Sequence, residues 1–496
     1  MRTASGLDGA FLSLETEATP MHVGSLHVFE TPPRYARDFC GEVRRMIAGR
    51  LHLAPIFTRR LVATPFNFAN PVWIDTDADL TFHIQRVDLP EPGTIRQLQD
   101  RVADLHAQVL DRERPLWMIY VFEGLADGRK AYYVKIHHAL LDGQAGAALA
   151  AALFDLSPKP APTKPASAKS RTKKPAVAEP GALDLIANAF RHDAGQYVKL
   201  VRYLPEIART LGGMVFGGET RGAGKSANKS AGRLSDNIAF GPRTPLNVTI
   251  SGERSFAALT VPLDEVKAVA RACGATINDI ALALCSGALR RYLTRHGGLP
   301  KKPLMATMPI SLRAKGDTEM TTQATLSLVN LATNIADPLK RLEALRAASG
   351  ATKSVAGKAK SIIPTDFPTM GVPWLVGAIA ELYGRSRIAS IAPPLANVVI
   401  SNVPGPPMPL YAAGLRMTDY WPLSIVEHGV GLNITMMSYN GTLGVGFTAA
   451  RCAVEDANEL VADFLSAFAQ LKKAIAERDG VAAPKKRVVK RNARAA

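Results

Sequence analysis

Two adjacent histidines, His137 and His138, are followed at fixed spacing by Asp142 and Gly143 in the segment AYYVKIHHALLDGQAGAALAAALFDL. The fixed letters of this HHxxxDG pattern would arise by chance in on the order of one chain of this composition in a thousand. An imidazole has an unperturbed pKa of roughly 6.5, so one of the pair is a natural general base near neutral pH. Adjacent side chains leaving a strand point to opposite faces, and the two rings cannot both face one substrate. We assign His138 as the base and His137 as packing or orienting support. Asp142 can stiffen the turn, either by capping the next helix or by pairing with an arginine, and Gly143 permits a tight backbone. An arbitrary His-His pair is more often structural; Asp-Gly at this spacing after a strand reverses that preference. A single base without a resident nucleophile suits acyl transfer from an activated thioester to a hydroxyl or amine. That reaction needs only the base, an oxyanion donor and a passage that aligns the reactants.

Rival chemistries lack their residues. GAGKS at Gly222–Ser226 would need a glycine at position 219, which is Glu219, and no strand leads into it. No GxSxG elbow supplies a serine nucleophile, and neither HExxH nor another close His/carboxylate spacing offers a metal site.

The catalytic turn needs a scaffold. YYVKIHH reads as its strand, the alanine-rich run as its helix, and loops after strand ends hold side chains rigidly while facing a cleft. Elsewhere in the first part, SLHVFE is strand-like and TIRQLQDRVADLHAQVL has helical spacing, a mixed α/β pattern. A stripe of Leu185, Ile186, Ala189, Phe190, Tyr197, Leu200, Val201 and Leu204 marks a further helix. Core packing is its expected use, with a basic amphipathic helix at a lipid surface as the lesser reading. A second α/β unit begins near Pro245 and closes with a helix from Val454 to about Arg478. The expected division is an acyltransferase domain at 1–156, a region at 157–244 made of a basic Pro-rich linker, an amphipathic helix and a Gly/Ser-rich loop, a second domain at 245–480 and a disordered tail at 481–496.

Composition bounds these readings. A chain of 496 residues with 47% apolar, 21% charged and 6% aromatic residues can order several domains around large cores. Its four cysteines form no CxxC pair, which fits a reducing compartment. The first residues lack a signal-peptide layout and no window reaches the length of a spanning helix, so any membrane contact is expected to be peripheral. The net charge is +17, of which Ser157–Gly181 holds +5 and Val481–Ala496 holds +6, leaving +6 for the remainder. These runs read first as solubilising segments and second as attraction to anionic lipid. No nucleic-acid-binding signature accompanies the charge, so nucleic acid is not an expected partner.

HHxxxDG is the signature of acyltransferases resembling chloramphenicol acetyltransferase. Within that group, LDGAFLSLETEATPMHVGSLHVFE, RPLW at Arg114–Trp117, TINDIALALCSGALRRYL, PISLR at Pro309–Arg313, DPLKRL, NVVISNVPGP and HGVGLNITMMSYNGTLGVGF resemble the bacterial wax ester synthase/diacylglycerol acyltransferase family. The resemblance runs from Leu7 to about Phe447, with gaps at the linker. It implies an α/β fold of two chloramphenicol-acetyltransferase-like domains, each a mixed sheet flanked by helices, with a tunnel between them. It also implies acyl-CoA as co-substrate, no permanently bound cofactor, and diacylglycerol or a long-chain alcohol as acceptor. The chain would then work in the cytoplasm, against the inner face of the plasma membrane or lipid droplets.

Carried onto this sequence, the resemblance makes His138 the group that deprotonates the acceptor and Asn278 a candidate oxyanion donor. From sequence alone Asn278 and Asp279 could equally be a helix N-terminus. Asn402 and Gly405, in SNVPGP, could shape the tunnel or form a plain rigid turn. Arg313 could serve structure or coenzyme phosphate, and Pro20, Met21 and His22 are expected to pack. Met118 stands where the family usually has an acidic residue, and Thr321-Thr322 where it has Gly-Asn. Two further readings stay open: a condensation-like transferase acting on a polyketide or peptidyl acceptor, and a weakly catalytic lipid-surface binding protein.

Overall fold

The computed structural model describes residues 2–140, 145–159, 180–196, 240–311, 324–359, 370–385 and 393–480. These residues form fifteen strands: β1 (Arg2–Thr3), β2 (His22–Glu30), β3 (Arg59–Val62), β4 (Val72–Asp75), β5 (Ile84–Asp88), β6 (Trp117–Glu123), β7 (Lys130–His137), β8 (Arg254–Pro262), β9 (Met305–Ser311), β10 (Ala324–Asn330), β11 (Val398–Val403), β12 (Tyr411–Ala412), β13 (Leu415–Leu423), β14 (Leu432–Tyr439) and β15 (Thr442–Ala450). Two mixed six-stranded sheets dominate, ordered β12-β13-β2-β7-β6-β5 and β10-β9-β11-β14-β15-β8, with a small sheet β1-β4-β3 beside the first. The fold is thus mixed α/β, with two sheets flanked by helices.

In the first sheet, β6 (WMIYVFE) is buried along its whole length, as a strand covered on both faces must be. β7 follows it antiparallel, Trp117 opposite Ile136, and delivers His137 as its last residue. The helix Ile95–Ala107 opens with a Thr94–Gln97 capping box and buries Leu98, Val102 and Leu105. Its Gln99 Nε2 donates to the Ala258 carbonyl of β8 at 3.1 Å, a tie to the second sheet.

The second sheet packs on the helix Ile277–Arg295, whose run from Asp279 to Leu289 is entirely buried. That helix packs against β11 and against the helices Pro338–Ala359 and Asn458–Arg478, which themselves contact β10 and β8 of the same sheet.

The expected boundary at 245–480 is crossed by the chain. β12 and β13 join at Ala413-Gly414, both at positive φ as a two-residue hairpin requires, and β13 pairs antiparallel with β2 of the first sheet. The sequence places these strands in the second unit by order alone, whereas the open edge of β2 decides where they pair. β13 also touches the second sheet: added Cβ atoms at Gly444 and Gly446 of β15 would lie 2.0 Å from the Tyr420 carbonyl and 1.9 Å from the Pro422 carbonyl. Only glycine allows that approach. Asp419 of β13 pairs with Arg129 at 3.3 Å and accepts from Thr260 Oγ1 of β8 at 2.8 Å.

The helix expected within 157–244 is present in the described residues. Residues 182–196 form a helix whose Leu185 packs on Val72 and Ile74, and whose Asn188 donates to Thr3 Oγ1 at 2.8 Å. Leu185 and Ala189 are buried as the core reading requires, while Phe190 is 53% exposed. The other residues of that stripe, from Tyr197 onward, lie outside the described residues, as do most of the basic linker and the tail.

Buried histidines make this fold acid-sensitive. Burial pushes His27 down to about 3, and burial followed by the neighbouring Lys135 charge does the same to His106. Unfolded histidine takes up a proton near pH 6.5 whereas these rings resist it, so the unfolded chain binds more protons between about pH 6.5 and 3. Stability is therefore fully present above pH 6.5 and falls with pH through that window. At pH 4.5 each ring costs on the order of 2–3 kcal/mol. Urea unfolding should show a midpoint that drops markedly from pH 7 to 4.5, and His27→Gln should flatten that drop.

Candidate active site

The residue that could accept a proton sits where β7 ends. His137 is fully buried and paired in register with His22, while His138 opens a single 3-10 turn, His138–Leu140, and is half-buried. The chain thus sends the two rings into different surroundings. The His138 ring stacks on Phe11 of the helix Gly6–Leu14, centroids 4.0 Å apart and planes 24° from parallel. Its backbone N–H donates to the Met21 carbonyl at 2.9 Å. Burial, reinforced by neighbouring His137, pushes the His138 imidazole down to about 4. At neutral pH the ring is therefore unprotonated and able to accept a proton.

His137 has a different task. Its Nδ1 accepts the Ala139 backbone N–H at 3.1 Å, so the proton of the neutral ring is on Nε2. Nε2 is buried without a hydrogen bond, and Glu15 Oε1 lies 3.4 Å away. Burial alone would raise the Glu15 carboxyl, but His137, Arg112 and the Met21 N–H outweigh it and hold the group down at about 2.

Asn278 is the second residue of its helix. The helix is capped by its neighbours: Thr276 Oγ1 accepts the Asp279 N–H at 3.2 Å, and Asp279 Oδ2 accepts the Thr276 N–H at 3.0 Å. Asp279 Oδ1 also accepts from Ser349 Oγ at 2.8 Å. The capping alternative therefore belongs to Thr276 and Asp279, which leaves the half-buried Asn278 side chain for other use. Asn278 Oδ1 accepts from Asn402 Nδ2 at 3.4 Å, which brings together two of the candidate residues. Its own Nδ2 carries two further donors.

Asn402 lies near the end of β11, opposite Met436 of β14. Gly405 N–H donates to Ser438 Oγ at 3.0 Å, and a Cβ there would lie 2.1 Å from the Ser438 carbonyl. No larger residue fits without moving the loop. Asp142, Gly143, Arg313 and Thr321-Thr322 lie outside the described residues.

The remaining motifs are structural where they are described. Trp117 is fully buried, stacks on His83 at 4.3 Å and donates to the Phe57 carbonyl at 3.3 Å. Arg114 lies 4.0 Å over the Phe82 ring, and Met118 is buried in β6. His22 is fully buried against the His106 carbonyl at 2.5 Å. Met21 packs as expected, and its backbone also holds His138. Sequence reasoning missed Phe11, Glu15 and Arg112. Phe11 and Glu15 stand within the quoted opening segment, but nothing in that segment indicates contact with residues more than a hundred positions away.

Two family models match. The wax ester synthase/diacylglycerol acyltransferase catalytic domain covers residues 4–281, and the C-terminal domain of the same family covers 322–472. A putative diacylglycerol O-acyltransferase of Mycobacterium tuberculosis is 36% identical over 478 residues, 95% of this chain and 99% of the relative. The O-acyltransferase WSD of Acinetobacter baylyi is 34% identical over 470 residues, 92% of this chain and 93% of the relative. Among solved structures, the wax ester synthase/diacylglycerol acyltransferase of Marinobacter aquaeolei superposes with a TM-score of 0.65 at 26% identity, covering 96% of this chain and all of that one. The first condensation domain of the CDA synthetase shares the fold, with a TM-score of 0.54 at 15% identity over 96% of this chain and 97% of the other. With both of its domain models matched in order and whole-length relatives above a third identical, the chain belongs to the wax ester synthase/diacylglycerol acyltransferase family and is an acyltransferase.

Proposed function

We propose that this acyltransferase moves a long-chain fatty acyl group from the thioester of acyl-CoA to the hydroxyl of diacylglycerol, and also to that of a long-chain alcohol. The observation that carries the reading is the unprotonated, half-buried His138 ring, held on a rigid turn at a strand end and flanked by Phe11. The acceptor hydroxyl gives its proton to His138 while its oxygen attacks the thioester carbonyl carbon. The carbonyl oxygen takes up negative charge, which the Asn278 amide offsets with an N–H. Collapse of the tetrahedral intermediate breaks the C–S bond, and the sulfur leaves as thiol with the proton that His138 returns. No acyl-enzyme forms. Asp142 and Gly143 shape the turn after the base, and Asn402, Gly405 and Arg313 border a tunnel that admits the two substrates from different faces.

Contact with a lipid surface is peripheral in this reading, at the inner face of the plasma membrane or at lipid droplets. Among the described residues no single helix is long and apolar enough to cross a membrane. Phe66 (89% exposed), Trp374 (67%) and Leu183 (82%) offer apolar side chains to such a surface. Trp374 Nε1 donates to the Phe66 carbonyl at 2.8 Å, which holds two of them together, and the +5 stretch ends at Gly181, just before Leu183.

Incubation with radiolabelled long-chain acyl-CoA and either diacylglycerol or hexadecanol, followed by separation of neutral lipids, should yield labelled triacylglycerol and wax ester. Release of free fatty acid alone, with neither acceptor used, would count against the assignment.

A further inference from the structure

One short helix reaches both histidines. Gly6–Leu14 presents Phe11 to the His138 ring, and Glu15, the residue that ends this helix, turns its carboxylate toward His137. That carboxylate is almost fully buried, with its side chain 4% exposed. Oε1 accepts the Met21 N–H at 3.1 Å and faces His137 Nε2, while Oε2 accepts from Arg112 Nη2 at 2.9 Å and Nε at 3.2 Å. Arg112 Nη2 also donates to the Leu12 carbonyl at 2.6 Å, fixing the guanidinium to the same helix. The other charged group near Glu15 is Lys135, buried in β7 with its Nζ donating to the carbonyls of Leu105 and Gln108.

The partners of Glu15 are the two anchors of the His138 backbone. Met21, held through its N–H, accepts the His138 N–H on its carbonyl. His137, whose Nε2 lies 3.4 Å from the carboxylate, accepts the Ala139 N–H on Nδ1. Two paths therefore run from one carboxylate to the peptide groups on either side of His138, one hydrogen-bonded throughout by way of Met21 and one starting with the 3.4 Å approach of Glu15 Oε1 to His137 Nε2. The Nε2–H tautomer is the one that leaves Nδ1 free to accept, and a negative charge opposite Nε2 favours it.

We infer that Glu15 is a positioning residue for the acyl transfer. It favours the Nε2–H tautomer of His137 and holds Met21, the residue before β2, and so sets the orientation of the His138 ring toward the acceptor hydroxyl. Glu15 itself touches no reacting atom. The inference rests on the assignment of His138 as base. A turn loosened on one side misplaces the imidazole by a fraction of an ångström, which weakens proton transfer far more than substrate binding.

Glu15→Gln, Glu15→Ala, His138→Ala and the double variant Glu15→Ala/His138→Ala provide the test, with kcat and KM for acyl-CoA and for the acceptor alongside thermal unfolding. Glu15→Gln keeps an acceptor for Met21 and His137 and should lower kcat by about tenfold, and Glu15→Ala by about a hundredfold, with both KM values within about threefold of the parent. In the His138→Ala background, Glu15→Ala should remove nothing further, because its effect passes through the missing ring. Parent-like kcat in Glu15→Ala with an inactive His138→Ala would overturn the inference and leave the base assignment standing. An active His138→Ala would instead remove the base assignment. Additive losses in the double variant, or failure of both Glu15 variants to fold, would assign Glu15 a purely structural role.

Discussion

Replacing His138 by alanine should lower kcat for acyl transfer at least a hundredfold, with the melting temperature changed by only a few degrees. The magnitude is that of a lost general base. The small structural effect follows from the half-buried position of the ring, whose main neighbour is Phe11, while the backbone contacts of residue 138 persist in alanine. The pH profile gives an independent check. Burial and then the neighbouring His137 lower the imidazole to about 4, so the base remains unprotonated well below the usual histidine range. As pH falls, activity should hold through 6.5 and decline only as pH approaches 4. Rates must be taken on a timescale shorter than acid unfolding, since the buried histidines weaken the fold over the same interval. A profile with its acid limb at 6.5 would mean that the working ring is solvated, or is not His138.

Asn278→Ala should cost a further large factor, about a hundred- to a thousandfold in kcat, if its amide meets the developing oxyanion. Its helix is capped by Thr276 and Asp279, so the substitution removes no cap, and helix stability should change little. Asp279→Asn offers the contrast. It disturbs the cap and the bond to Ser349, and it should lower the unfolding midpoint with a smaller effect on kcat. If Asn278→Ala leaves kcat unchanged, its bond with Asn402 is a structural tie between the helix and the end of β11.

Much of this site was legible because its parts are local in sequence. A strand, a turn and an Asp-Gly pair at fixed spacing locate His138, and alternation along the strand separates it from His137. A helix N-terminus at Asn278-Asp279 was likewise readable, although sequence could not divide the work between the two residues; hydrogen-bond geometry does, with Thr276 and Asp279 forming the cap. Glu15 escaped notice because its partners are His137 and Arg112, roughly a hundred residues away or more, and a carboxylate after LSL is unremarkable by composition. β13 escaped for a related reason. Its pattern marks it as a strand, but the identity of its neighbour depends on which sheet edge is open, and that is fixed only when both halves are folded.

The borrowing of β13 by the first sheet also bears on how the chain is made. β2, β5, β6 and β7 have all left the ribosome long before Leu415–Leu423 is synthesised, so the β2 edge must wait, its backbone donors and acceptors unpaired. At translation speeds of about 5–20 residues per second, that wait is on the order of tens of seconds. During that time the nascent chain is a target for chaperones or for a neighbouring copy's β13, and growth conditions that slow elongation should draw more of it into such company.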